Sequence, residues 1–114
     1  MSTGDPLLAA RARVLSDLAA RGLANAHTVS VVEDCVARRR WWLAQWEQGA
    51  DYVAGLVAQD VQDALFDESR RWPVCVGCVN PTEHSLSIEP ELGSDPHWVC
   101  SESGTFVAAL GRLT

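Results

Sequence analysis

The chain contains no lysine: all nine of its basic residues are arginine. This reads as codon bias toward GC-rich triplets and not as a functional signal. No apolar run approaches the roughly 18 residues that a membrane span needs. The opening "MSTGDPLLAARARVL" has no basic leader followed by an unbroken apolar stretch, so no signal peptide is expected. A cytoplasmic location is the expectation, and there thiols stay reduced. Internal repeats and low-complexity tails are absent. So are a nucleophile elbow, a phosphate loop and a dinucleotide fingerprint. Positive charge is also scarce: nine arginines face 15 acidic residues, a net charge of −6. Phosphate contacts need positive surface, so general nucleic-acid binding is not expected.

What is present suits one compact domain. In 114 residues, 47% are apolar and 21% charged, a globular composition. Asp5-Pro6 is a helix start, because Asp caps free N–H groups and Pro is tolerated at the first helical position. Gly22 is a plausible stop. Between them Leu7, Leu8, Val14, Leu15 and Leu18 share one arc at 100° per residue. Arg11 lies inside that arc, with its stem packed and its guanidinium reaching water.

The stretch "HTVSVVEDCVARRRWWLAQWEQG" carries strand-forming Val and Trp, but period two fails. Helical spacing collects Val29, Val31, Val32, Cys35, Val36, Trp42, Leu43 and Trp46 on one side, with only Arg39 and Glu47 intruding. Ser30 with Glu33 fits a capping box and Gly49 a stop. A helix is expected, with a β-hairpin as the alternative. "ADYVAGLVAQDVQDALFDESRR" reads as a third helix with a stripe of Val53, Val57, Val61, Ala64 and Leu65, and Pro73 prevents its continuation. Beyond Trp72, Gly and Pro punctuate the β-prone pieces "SLSIE", "HWVC" and "TFVAAL". The expected fold is α+β: a three-helix N-terminal unit, residues 1–71, followed by a small zinc-ribbon-like β module, residues 72–114, together one compact domain.

The module holds three of the four cysteines. A C-x-x-C on a tight turn, Cys75 and Cys78, presents two thiolates to one tetrahedral ion. A redox pair would open a helix, which Val79-Asn80-Pro81 disfavours. Cys100 ends "HWVC" and precedes a second turn reaching Gly104. A paired ribbon would carry another cysteine three positions on, where Ser103 stands, so a histidine must serve. His97 gives H-x-x-C with Cys100, but an extended chain throws those two side chains to opposite faces. His84 follows the first turn by a short loop. The expected ligands of a structural zinc are therefore Cys75, Cys78, His84 and Cys100, with His97 in reserve. Packed, metal-free thiols are the bland alternative, and that reading suits Cys35 on the apolar face of the second helix.

Arg38, Arg39, Arg40 and Trp41 form a possible interaction surface, because tryptophan stacks on bases and arginine binds phosphate. Pairing of these arginines with the acidic stripe Asp60, Asp63 and Asp67 on the third helix is the stronger expectation. Glu89, Glu91, Asp95 and His97 lie close in sequence to the metal. They would matter for catalysis only if the ion kept an open position. The H-x-E motif of zinc deaminases is missing, and no catalytic residue is assigned.

"NAH" at Asn25, "RRRWW" at Arg38, "VAQDVQDAL" at Val57, "RWPVC" at Arg71 and "EPELGSDPHWVC" at Glu89 together resemble uncharacterised small actinobacterial proteins. Those share a C-terminal W-P-x-C-x-x-[CH]…H-x-L…W-x-C segment. The resemblance covers most of the chain, places its histidine at His84 and implies a cytoplasmic metal-binding protein. The chain is also similar to the WhiB-like iron–sulfur regulators in cysteine count and C-x-x-C. Their third cluster ligand would fall at His84, however, and their glycine-tryptophan turn is absent. The function expected is a non-catalytic, zinc-binding protein–protein interaction or regulatory module. Its partner would be an unknown protein or a second copy, with five tryptophans as the supporting observation. A nucleic-acid-associated ribbon and an open-site metalloenzyme are the alternatives.

Overall fold

A computed structural model describes residues 4–78 and 82–114. Helix α1 (Pro6–Ala20) starts as expected: the Asp5 carboxylate accepts the Leu7 N–H at 2.9 Å. It stops at Gly22, whose φ of +70° closes the turn as its N–H reaches Ala19 O. Leu7, Ala10, Val14 and Leu18 are buried, whereas Leu8, expected in the same arc, is exposed. The buried stripe is narrower than the apolar arc, and the polar Asp17 occupies part of it.

Helix α2 (Ala26–Gln45) removes the hairpin alternative. It begins earlier than Ser30. Asn25 accepts the Thr28 N–H at 2.9 Å, and the Thr28 hydroxyl accepts the Asn25 N–H at 3.0 Å. This reciprocal cap, not Ser30 with Glu33, starts the helix, because both side chains are short enough to reach back within one turn. Its end also differs from the expected stop. Gln45 is the last residue, and Gly49 sits inside a following 3-10 helix, Glu47–Tyr52. Helix α3 (Val53–Asp67) buries Val53, Val57, Val61 and Leu65 as its spacing requires, while Ala64 is half-buried.

Three short strands follow: β1 (Leu86–Glu89), β2 (His97–Cys100) and β3 (Phe106–Ala109). They form an antiparallel sheet in that order, with Leu86 opposite Cys100 and Ile88 opposite Trp98. Period-two alternation sends Leu86, Ile88, Trp98 and Cys100 inward. There the first three join Trp72 and the helix residues in one apolar cluster. Trp72 and Trp98 meet edge to face, their ring centroids 5.4 Å apart. The fold is thus α+β, three helices packed on a small sheet. Among the described residues no helix is long and apolar enough to cross a membrane. Val79-Asn80-Pro81, on which the exclusion of a helix after Cys78 rested, lies outside them.

Candidate metal centre

The sheet brings the four expected donors together from three places. An antiparallel bridge joins Val74 to Ser85, and the Cys75 N–H donates to His84 O at 2.9 Å. This seats the C-x-x-C turn beside the loop that enters β1. Pairing of Leu86 with Cys100 then carries the end of β2 to the same spot. The Sγ atoms of Cys75, Cys78 and Cys100 and one ring nitrogen of His84 all lie within 4.8 Å of one another. Tetrahedral thiolates on one zinc stand about 3.8 Å apart, from Zn–S bonds of about 2.3 Å. A small contraction would close the group on an ion, so the four lie close enough to hold a metal.

The histidine is preset for that role. Its Nδ1 lies 2.7 Å from Thr82 O, a carbonyl that only accepts, so Nδ1 carries the proton. Nε2 is left facing Cys100 Sγ at 3.3 Å. Metal-bound histidines are held in this way, one nitrogen tied to a carbonyl and the other free for the ion. The Thr82 carbonyl, then the Cys100 sulfur, raises the His84 pKa above its ordinary value.

Ser103 takes the position where a paired ribbon would have a fourth cysteine. Its backbone N–H points at Cys100 Sγ at 3.4 Å. Ser103 lowers the Cys100 pKa to about 5 through its side chain and its N–H, helped by the Glu102 N–H and His84 against the effect of burial. A thiol held this low is largely thiolate at neutral pH, the form that binds metal. Burial pushes the Cys75 thiol up, offset in part by the Gly77 N–H, and the neighbouring sulfurs of Cys100 and Cys78 raise it further. Burial and the neighbouring sulfurs thus hold Cys75 toward its neutral form, while Cys100 carries the charge.

His97 is not in this group. Opposite Glu89 and Ala109 in the sheet, its ring packs against Phe106 with centroids 5.0 Å apart. Among the described residues Glu89, Glu91 and Asp95 do not join the donors either. Cys35 is a buried thiol, raised by burial, that accepts an N–H from Arg38 at 3.4 Å.

The arginine patch divides. Arg39 binds Asp60 through two bonds, 2.6 and 2.9 Å, and stacks its guanidinium 5.3 Å from the Trp42 ring centre. Arg40 turns away from α3 and pairs with Asp5. The expected pairing with the acidic stripe therefore occurs at Asp60, and no cation among the described residues pairs with Asp63 or Asp67. Trp41 stands 69% exposed beside them. The carbonyl of Thr82 and the N–H of Ser103 were not foreseen, because backbone groups leave no side-chain signature. The one available hint was the serine three places after Cys100.

Comparison with curated proteins and with solved structures gave no match. A family comparison did, over residues 3–110: the chain belongs to the family described as a domain of unknown function, DUF8819.

Proposed function

We propose that Cys75, Cys78, His84 and Cys100 bind one zinc ion in a closed structural site. The observation that carries this reading is the convergence of three sulfurs and one imidazole nitrogen within 4.8 Å. Thiolates with imidazole in tetrahedral number suit zinc. Donors this close suit one ion, whereas an iron–sulfur cluster places several irons and sulfides between its thiolates. In this reading residues 72–114 form a zinc-ribbon-like module on the helical unit 1–71, and the metal supplies folding free energy that three four-residue strands lack.

The protein then acts as a non-catalytic interaction or regulatory module in the cytoplasm, where its four cysteines, none of them in a disulfide, stay reduced. Four protein ligands leave no position for substrate water, which weighs against an enzyme. Trp41, with Arg38, Arg39 and Arg40, is the surface offered to a protein partner or a second copy. Engagement of Arg39 and Arg40 by Asp60 and Asp5 weighs against the nucleic-acid alternative.

Elemental mass spectrometry on purified protein tests the site. One zinc per chain is expected, lost in Cys75→Ser and reduced in His84→Ala. Zinc retained in full by His84→Ala would open the fourth position to water and revive the enzyme reading. A metal-free wild type would reduce the cysteines to core residues.

A further inference from the structure

Beside the metal donors lies a cavity of about 550 Å³, bounded by the C-x-x-C turn, the turn after β2, strand β3 and the C-terminal tail. This size falls in the range of small-molecule sites, about 300–1,000 Å³. Its base is apolar: Leu86 and Leu113 are buried and Ala108 is half-buried. Phe106, Val107 and Val76 line it while remaining exposed, so apolar surface continues out to its mouth. Exposed apolar surface around a concave apolar base marks a binding site more often than chance packing.

Two guanidiniums complete the lining. Arg21 donates to the Val74 carbonyl oxygen at 2.6 Å and to a backbone oxygen of Thr114 at 3.2 Å. Arg112 is exposed, and among the described residues no side-chain carboxylate pairs with it. Arg112 is thus an exposed cation, with no side-chain carboxylate beside it, at the edge of an apolar cavity. An apolar base with a cationic edge is complementary to an apolar body that ends in an anion. We infer that this cavity binds an alkyl-chain carboxylate, its chain over Leu86, Ala108 and Leu113 and its carboxylate at Arg112. The inference goes beyond the zinc site: Cys75, Cys78 and Cys100 form one wall, but the groups that read the ligand are not metal donors.

The test is displacement of the fluorescent anion 1-anilinonaphthalene-8-sulfonate from the protein as purified, with zinc content measured on the same samples. Decanoate should displace the probe, and decanol should need at least about tenfold more, the value of one charge-assisted contact. Arg112→Gln, at an exposed position, should erase the difference between the two competitors. Phe106→Ser, also exposed, should weaken both alike. Equal displacement by decanol and decanoate, or an unchanged preference in Arg112→Gln, would overturn the inference. So would displacement by an N-acetylated Leu-Phe dipeptide with none by decanoate, which would make the cavity a reader of peptide C-termini. Full zinc content with no displacement by any competitor sinks the cavity alone; loss of zinc in the wild type sinks the metal reading alone.

Discussion

The Asp17 carboxylate accepts the indole N–H of Trp98 at 2.8 Å, joining residues 81 positions apart. It also takes the N–H of Gly111 at 2.7 Å and of Leu113 at 3.0 Å. One wholly buried acid on α1 thereby clasps the central strand and the C-terminal tail. Asp17→Ala leaves these donors unpaired, and each buried orphan costs about 1–3 kcal/mol. A loss of about 3 kcal/mol or more is expected in urea denaturation. A loss under about 1 kcal/mol would mean that water reaches these donors.

Gly49 is a space, not a helix stop. A Cβ there would stand 2.5 Å from Cη2 of Trp42 and 3.0 Å from Cε3 of Trp46. The two indoles meet edge to face at 5.3 Å. Gly49→Ala must displace a ring, and overpacking of this kind costs about 1–3 kcal/mol. Thermal unfolding checks it, and an unchanged midpoint would show that Trp42 moves aside freely.

Arg39 and Asp60 form a two-point ion pair, each side chain about a quarter exposed. A double-mutant cycle with Arg39→Leu and Asp60→Leu should return a coupling of about 1 kcal/mol, more than a surface pair and less than a buried one. The same cycle with Asp63→Leu should return none, since Asp63 has no arginine partner among the described residues.

Burial, then the charges of Asp60 and Asp67, raises the Asp63 pKa. The folded protein therefore binds this proton more readily than the unfolded chain. Ionised Asp63 costs stability above its folded pKa, and the cost disappears as pH falls through the folded and then the unfolded value. Asp63→Asn should stabilise the protein at about pH 7, by less than about 1 kcal/mol because water screens the site. The gain should vanish near about pH 3, where the acid is protonated in both states. Denaturation at both pH values decides it; a gain of equal size at both would assign the effect to helix propensity.

If the four residues hold zinc as proposed, removing it should loosen the sheet before the helices. With a zinc chelator, amide exchange should rise first in β1, β2 and the Cys100–Gly104 turn, and α1 and α3 should keep their protection longer. His97→Ala should behave as wild type under the same chelator, because His97 is packed on Phe106 and outside the donor group. Earlier metal loss in His97→Ala would return that histidine to the site.

Local chemistry was legible in the sequence. The Asp5-Pro6 start, the Gly22 stop, the α3 stripe and all three strands follow from interactions within a few residues, which composition and period report directly. The nearness of Cys75, Cys78, His84 and Cys100 was legible too, and strand period two kept His97 apart from Cys100. The start of α2 was misread although its signal was local: Asn25 and Thr28 cap as well as Ser30 and Glu33 would. What only the tertiary structure decided is long-range. Nothing around Asp17 in the sequence names Trp98, nothing near Gly49 announces a ring, and Arg39 could have chosen Asp63. Those choices depend on how closely α1, α2 and α3 approach each other and the sheet, a distance set by the shared core and not by any short stretch of chain.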